Sequence, residues 1–379
     1  MQHADVIVIG CGGVGSAALY HLARRGVSTV ALDRFPVAHD RGSSHGETRI
    51  IRQAYFEHPD YVPLCRMSYD LWDELSAGYG KTLRHETGLL EVGPEDGVVV
   101  SGVLGSASRH GLEVERLSSR DVARRFPGYV VPDGMCGVLE ARAGYLDVEE
   151  CVRAHVDLAT KNGARVEIGV SVLSWTARGR TIEVETDRGA WSADRLVITA
   201  GAWASSLLSD LGVPFEVRRK PLFWFHSPSD AYRADRGAPA FLYELPDGVF
   251  YGFPDLGDGR VKVAEHTGGD AVADPLEVDR TQRPADELRL TDFLAEHLPG
   301  VTDRVAAHAV CMYTMTPDEH FVVDRHPAHP EVVFAAGLSG HGFKMASVLG
   351  KALAELALDG ATPIPIGFLG AQRQALRTR

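Results

Sequence analysis

The chain has 379 residues, of which 45% are hydrophobic and 24% are charged, and its formal net charge is -12. Because a single hydrophobic core stops growing at roughly 250 to 300 residues, two domains are expected. The acidic balance argues against nucleic acid and anionic membrane surfaces as partners, since both would repel the chain.

The five cysteines are odd in number and widely spaced, which predicts neither a disulfide framework nor a metal site. The N-terminal segment enters an apolar strand without a basic flank, and no apolar run approaches the roughly 18 residues that span a bilayer. Secretion and membrane insertion are therefore not expected. We predict a protein of the reducing cytoplasm.

The N-terminal segment has the pattern of a strand, a glycine turn, a helix and a second strand. Asp5–Gly10 is a β-branched run, Ser16–Arg25 has apolar residues at helical spacing, and Thr29–Asp33 is a second apolar strand. This order predicts parallel strands joined by a right-handed crossover.

The turn in this unit, Gly10-Cys-Gly-Gly-Val-Gly15, has the spacing G-x-G-x-x-G. Its glycines allow a tight turn and let backbone N–H groups approach a pyrophosphate at the helix N-terminus. Asp33 ends the second strand, where a carboxylate can accept hydrogen bonds from ribose hydroxyls. The motif predicts a bound dinucleotide but does not distinguish NAD from FAD.

The segment 42–55 is rich in glycine and hydroxyl side chains and carries Arg49 and Arg52 three positions apart. Such a segment is expected to pass close to a planar cofactor. Considered as residues alone, the two arginines could equally be solvated surface side chains.

Two later segments, Arg195–Gly201 and Glu331–Gly337, again run from an apolar strand to a glycine, and the second leads into an apolar helix. Between them, 249–253 and 261–266 have the alternation of an antiparallel hairpin. The predicted fold class is α/β, with a Rossmann-like FAD-binding domain on a parallel sheet and a substrate domain on a largely antiparallel sheet. The expected boundaries are 1–85, 146–220 and 318–379 for the first domain, and 86–145 and 221–317 for the second.

The strand 261–266 places Lys262, Ala264 and His266 on one face by its period of two. Without further information, this lysine and histidine are expected to form an exposed polar face. Cys311 is similarly ambiguous, because a lone cysteine is more typical of a small buried hydrophobic residue than of a reactive thiol. A glycine turn that carries Lys344 follows it along the chain.

The chain resembles the monomeric sarcosine oxidase and N-methyl-amino-acid oxidase branch of the D-amino-acid-oxidase-like flavoproteins over nearly its whole length. The two most specific motifs for this resemblance are the block that begins with Cys311 and the block that ends with Lys344. The full set of carriers is Gly10 to Gly15, Gly42 to Arg52, Ala200-Gly-Ala-Trp203, Tyr251-Gly-Phe-Pro254, Cys311-Met-Tyr-Thr314, Asp318-Glu-His-Phe321 and Gly337-Leu-Ser-Gly-His-Gly-Phe-Lys344.

The resemblance implies FAD bound covalently through its 8α carbon to the sulfur of Cys311. It also implies that Arg52 and Lys344 hold the substrate carboxylate and that Lys262 supplies positive charge for oxygen reduction. His266 and Tyr251 would line the substrate pocket, and Thr48 and Arg49 would lie close to the flavin ring. The remaining implied cofactor contacts are Gly10, Gly12, Gly13, Val14, Gly15, Asp33, Arg34, Ser43, Ser44, His45, Val172, Ala200, Gly201, Trp203, Met312, Gly340, Gly342 and Phe343.

The activity implied by the resemblance is oxidation of a secondary amino acid such as sarcosine, with O2 reduced to H2O2 and the imine hydrolysed. A bulkier N-methyl amino acid such as N-methyltryptophan, or a cyclic one such as pipecolate, remains an alternative substrate. An NAD-dependent dehydrogenase and a flavin-binding protein without catalysis are more distant alternatives. A monomer with no nucleic-acid or membrane partner is expected.

Overall fold

The computed structural model describes residues 2–377. Its α-helices are α1 Gly13–Ala23, α2 Val62–Tyr79, α3 Val98–His110, α4 Ser119–Arg125, α5 Val148–Lys161, α6 Ala204–Leu207, α7 Pro284–His297 and α8 Ala346–Asp359. Among residues 2–377, no helix combines the length and the apolar character needed to cross a membrane.

The strands are β1 Gln2–Ile9, β2 Thr29–Asp33, β3 Thr48–Ile51, β4 Arg84–Glu86, β5 Leu89–Pro94, β6 Glu115–Leu117, β7 Met135–Glu140, β8 Gly144–Asp147, β9 Arg165–Ile168, β10 Val172–Arg178, β11 Thr181–Thr186, β12 Gly189–Ile198, β13 Glu216–His226, β14 Ala240–Leu245, β15 Gly248–Phe253, β16 Arg260–Glu265, β17 Val305–Met315, β18 Val322–Arg325 and β19 Val332–Ala336.

The first sheet contains the parallel strands that the sequence predicts. Its order is β10-β11-β12-β1-β2-β9, and β19 pairs with both β12 and β18. β1 is parallel to β2 and β12, and β12 is parallel to β19. The apolar residues of β1 are buried on both faces, with Val6 and Val8 packed toward the helices and Ile7 and Ile9 packed on the opposite side. Such two-sided burial is typical of a parallel sheet.

The second sheet has the order β17-β13-β16-β15-β14-β5-β7-β6. All of its pairs are antiparallel except β14 with β5. A third sheet has the order β3-β8-β4. Its strand β3 contains Arg49, and Arg52 directly follows that strand. The predicted fold class, a parallel Rossmann-like sheet plus a largely antiparallel one, is confirmed.

Some element boundaries differ from those expected. α1 begins at Gly13, inside the glycine motif, rather than at Ser16, because the N–H of Ser16 already donates to the carbonyl of Gly12. The expected domain boundary after residue 220 falls inside β13, all of which belongs to the second sheet. The division into two domains stays a prediction.

Candidate active site

A cleft with a volume of about 200 Å³ lies at the carboxyl ends of β1, β2 and β12. Parallel sheets bind ligands at this edge, where connecting loops diverge. Most of the predicted cofactor contacts line the cleft, namely Gly10, Gly12, Gly13, Val14, Asp33, Arg34, Ser43, Ser44, Arg49, Val172, Ala200, Gly201, Trp203, Met312, Gly340, Gly342 and Phe343.

Two glycines of the turn at the start of α1, Gly10 and Gly15, have no room for a side chain. A Cβ on Gly10, whose φ is +85°, would lie 2.6 Å from the carbonyl oxygen of Thr199, and a Cβ on Gly15 would lie 1.9 Å from the carbonyl oxygen of Gly10. The absence of a side chain at Gly10 leaves its backbone exposed to the cleft. The absence of a side chain at Gly15 lets α1 pack closely on the strands. Gly15 itself does not line the cleft.

Asp33 fixes the turn beside this helix. Its carboxylate accepts hydrogen bonds from the N–H groups of Cys11 at 2.6 Å and Phe35 at 2.9 Å. Each carboxylate oxygen has a further lone pair for a ribose hydroxyl. Ser44 Oγ lies 3.0 Å from the N–H of Gly13 and so brings a hydroxyl to the helix N-terminus.

Two buried side-chain nitrogens beside the cleft have no hydrogen-bond partner among residues 2–377. They are Nε1 of Trp203, which is a donor, and Nε2 of His45, which donates or accepts according to the tautomer. Unpartnered buried polar groups are uncommon in native proteins and suggest a missing partner. Together with the glycine turn and the helix N-terminus, these nitrogens fit the dinucleotide that the sequence predicts.

Cys311 lies immediately behind the wall of the cleft. Its Sγ is 3.3 Å from Arg49 Nη2 and 3.6 Å from the carbonyl oxygen of Ser43, and both of these residues line the cleft. Ser43 Oγ donates to the carbonyl of Met312 at 2.6 Å. This hydrogen bond joins the segment 42–55, which carries Arg49 and Arg52, to β17. The thiol itself is buried.

A second, smaller cavity adjoins the cleft and shares four lining residues with it: Arg49, Tyr313, Gly340 and Phe343. Arg52, Tyr251, His266 and Lys344 line only the second cavity. The structure therefore brings the predicted carboxylate anchors and pocket residues together at one end of the dinucleotide cleft.

Arg52 is buried and is paired with a carboxylate of its own chain. Its Nη2 lies 2.8 and 2.7 Å from the two carboxylate oxygens of Glu57, and its Nη1 donates to the carbonyl of Ala54 at 3.0 Å. Burial acts to raise the pKa of Glu57, but Arg52, His341 and Lys344 together outweigh burial and lower this pKa to about 2. A carboxylate therefore already binds the guanidinium that is predicted to hold the substrate.

Lys344 lies in a short 3-10 turn, Phe343–Met345, immediately before α8 rather than within it. Its Nζ donates to the carbonyl of His341 at 2.8 Å and lies 3.4 Å from Tyr55 Oη. Burial and the nearby Arg52 lower the pKa of Lys344 to about 8. Lys344 is therefore largely charged near neutral pH and faces the second cavity.

His266, Tyr251 and Tyr313 form a polar aromatic wall of the second cavity. His266 Nδ1 lies 3.4 Å from Tyr313 Oη. Burial lowers the pKa of His266 to about 3 and raises the pKa of both tyrosines. These three groups are therefore neutral near neutral pH and can hydrogen-bond a ligand without adding charge.

Lys262 is buried against Gly46 and Thr48 of the segment 42–55. Its Nζ donates to the carbonyl oxygens of Gly46 and Thr48, and at 3.2 Å to Thr48 Oγ1. Burial lowers the pKa of Lys262 well below its usual value. No carboxylate among residues 2–377 lies within ion-pairing distance of it. Three acceptors match the three donors of an ammonium, which favours the charged form.

Five of the predicted site residues line neither cavity: Gly15, His45, Thr48, Lys262 and Cys311. Thr48 and Cys311 are each followed along the chain by a lining residue, Arg49 and Met312. Sequence reasoning missed Tyr313 and Glu57, which do line the second cavity. The period of two in β17 places Tyr313 on the same face as Cys311 and could have identified it. Glu57 gave no such signal, because its contact with Arg52 depends on the loop between them.

The chain is similar to known flavin-dependent oxidases over nearly its whole length. The family described as FAD dependent oxidoreductase matches residues 5–356. A monomeric sarcosine oxidase from Bacillus sp. (strain B-0618) is 40% identical over 99% of this chain and 97% of its own length. An N-methyl-L-tryptophan oxidase from Yersinia pestis (strain Pestoides F) is 36% identical over 97% of this chain and 99% of its own.

A solved structure of NikD, described as an unusual amino acid oxidase essential for nikkomycin biosynthesis, has the same overall fold. Its open form is 25% identical, with a TM-score of 0.86 and coverage of 98% of both chains. The aligned part of this chain is thus nearly complete.

Proposed function

Because the chain belongs to the family of FAD dependent oxidoreductases, we propose that it is an FAD-dependent oxidase of secondary amino acids such as sarcosine. The observation that carries this proposal is the second cavity, which adjoins the dinucleotide cleft and presents Arg52 and Lys344 beside a neutral aromatic wall. Bound FAD would supply the two-electron acceptor. Such a cavity suits an anion that carries an uncharged amine.

Arg52 and Lys344 are proposed to bind the substrate carboxylate. A guanidinium offers two parallel donors to a carboxylate, and the ammonium of Lys344 adds a point charge. The substrate would have to displace Glu57 from Arg52, so part of the binding free energy is used in that exchange. The rigid position of the cations would then hold the C–H bond of the substrate in one orientation.

The amine of the substrate is proposed to react in its unprotonated form. Arg49, Arg52 and Lys344 bring three positive charges to the second cavity against the single carboxylate charge of Glu57, while His266 and the two tyrosines stay neutral. Nearby cations disfavour an ammonium and lower its pKa. This environment reduces the need for a protein base to remove the proton.

Lys262 is proposed to provide the positive charge that favours oxygen reduction. It is buried, and its hydrogen-bond partners among residues 2–377 are all neutral oxygens, two of which belong to Thr48, the residue before Arg49. A preorganised charge in a dry site acts more strongly than one in water. We propose O2 as the acceptor and H2O2 as a product.

Cys311 is proposed as the point of covalent attachment of FAD. Support comes from its position behind Arg49 and Ser43 and from the two cleft-lining residues that follow it, Met312 and Tyr313. His45 and Thr48 are proposed to shape the wall near the flavin ring. We also propose that the protein acts as a monomer in the cytoplasm.

A single assay with a panel of amino acids tests the proposed function and the size of the substrate side chain. The purified holoenzyme is mixed with sarcosine, N-methyl-L-tryptophan, pipecolate and proline, and peroxide is measured. Sarcosine is expected to be the best substrate, and N-methyl-L-tryptophan is the second candidate because an oxidase of that compound is among the relatives. Peroxide from none of these compounds would overturn the proposal.

A further inference from the structure

Glu91 is a fully buried carboxyl group for which the proposed chemistry has no role. It lies in β5 and pairs with Leu242 of β14, which pairs in turn with Tyr251 of β15. Paired residues of neighbouring strands project from the same face of a sheet. Because Leu242 and Tyr251 line the second cavity, Glu91 continues the same row of side chains toward Arg52.

Neither carboxyl oxygen of Glu91 has a hydrogen-bond partner in the described part of the chain. Arg52 Nη1 is 3.6 Å from Glu91 Oε1 and donates to the carbonyl of Ala54 instead. Arg52 therefore lies between the carboxylate of Glu57, with which it makes two hydrogen bonds, and the carboxyl group of Glu91, which is within ion-pairing distance but makes no hydrogen bond with it.

The four charged or titratable groups that face Glu91 come from three parts of the chain. Arg52 and Glu57 lie in the segment after β3, Glu140 at the end of β7 and Lys344 before α8. The oxygens of Glu140 accept hydrogen bonds from the N–H groups of Gln53 and Ala54. Burial raises the pKa of Glu91 to about 8 against the opposing effect of Arg52, so the group is protonated near neutral pH.

We propose that Glu91 is a positioning residue for Arg52 whose neutral carboxyl group leaves the guanidinium free to bind one carboxylate at a time. Glu57 fills that place in the free protein, and the substrate fills it in the complex. If Glu91 ionises, its carboxylate competes for Arg52 from the opposite side, and the affinity for an external carboxylate falls. This inference rests on the proposed function, since it assumes that Arg52 anchors the substrate.

The test uses methoxyacetate, an ether isostere of sarcosine that has no amine to oxidise or titrate. Its dissociation constant is measured from the flavin absorbance of the holoenzyme between about pH 6 and about pH 9.5, in the wild type and in Glu91→Gln. The two proteins should bind methoxyacetate within about twofold near pH 6.5. Above pH 8, log Kd should rise more steeply in the wild type, by up to about one per pH unit.

The remaining pH dependence of Glu91→Gln belongs to Lys344, whose pKa also lies near 8. Lys344→Met should bind methoxyacetate more weakly than the wild type at low pH. Above pH 8, its Kd should still show the rise that the ionisation of Glu91 causes. Parallel pH profiles in the wild type and Glu91→Gln would overturn the role of Glu91 alone. Failure of the wild type to bind methoxyacetate at any pH would instead contradict the carboxylate anchor and the proposed function.

Infrared difference spectra provide a second measurement that does not depend on binding. Subtracting the spectrum of Glu91→Gln from that of the wild type near pH 7 should leave the C=O band of a protonated carboxylic acid, which disappears at alkaline pH. A carboxylate band at pH 7 would mean that Glu91 is already ionised. Glu91→Gln would then bind methoxyacetate far more tightly than the wild type at neutral pH, and the proposal would be wrong.

Discussion

The guanidinium of Arg52 binds both carboxylate oxygens of Glu57, at 2.8 and 2.7 Å, at the place where the substrate carboxylate is proposed to bind. A carboxylate of the same chain thus occupies the anchor in the free protein. The pair keeps a buried guanidinium neutralised when no substrate is present, and uncompensated buried charge is costly.

Glu57→Gln should strengthen substrate binding because an amide competes for Arg52 less well than a carboxylate does. We expect the KM for sarcosine to fall by about tenfold, with a small change in kcat. Glu113→Gln removes one negative charge from an exposed position and should leave KM unchanged. A KM that is unchanged or higher in Glu57→Gln would show that Glu57 is not a competitor.

Arg52→Ala should impair substrates in proportion to their dependence on a carboxylate. We expect kcat/KM for sarcosine to fall by about 100-fold or more, because the substrate carboxylate then has no buried guanidinium to bind. N-methylethylamine, which has no carboxylate, should lose much less. Equal losses for both compounds would mean that Arg52 supports the fold of the cavity rather than the substrate.

Lys344→Met should weaken binding only where Lys344 is charged in the wild type. Its pKa is lowered to about 8 by burial, so its positive charge is present below that pH and is lost above it. The Kd of methoxyacetate is expected to be about tenfold higher than wild type near neutral pH and to converge with it above pH 9. A constant ratio across the pH range would exclude the charge of Lys344 as the cause.

Lys262→Met should slow reoxidation of the reduced holoenzyme by oxygen on the order of 100-fold, with a much smaller effect on its reduction by substrate. Rapid mixing measures the two half-reactions separately. Lys220 is a matched control, because it is also buried and donates to backbone carbonyls, here those of residues 266–268. Lys220→Met should reoxidise at the wild-type rate, and equal slowing of both half-reactions in Lys262→Met would contradict the proposed role.

Cys311→Ser should release FAD from denatured protein. After acid precipitation, the wild type is expected to keep its yellow colour in the pellet, whereas the variant should lose flavin to the supernatant. Cys65→Ser is the control, since that buried cysteine lines neither cavity and should leave the colour in the pellet. Complete release from the wild type would reject the thioether.

The parallel half of the fold was predictable because glycine turns and β-branched runs are local signals. β2 was predicted at its observed bounds, and the strands that end near Gly10, Gly201 and Gly337 were each found. The start of α1 was misplaced because the glycines of the motif, normally poor helix formers, form its first turn. The third sheet was not predicted, since its short strands meet only through distant parts of the chain.

The candidate site was partly predictable for the same reason. Residues in motifs, such as Arg52, Lys344 and Cys311, carry a recognisable neighbourhood in the sequence. Glu57 and Glu91 do not, because their importance comes from distances to Arg52 that only tertiary structure creates. Tyr313 was overlooked although the alternation of β17 indicated its face.

The most direct measurement of the central claim is anaerobic mixing of the purified holoenzyme with sarcosine, followed by admission of oxygen. The flavin absorbance should bleach fully without oxygen, return when oxygen enters and yield one peroxide for each flavin reoxidised. If neither sarcosine nor any other N-methyl or cyclic amino acid bleaches the flavin, the chain does not oxidise secondary amino acids and the account is wrong.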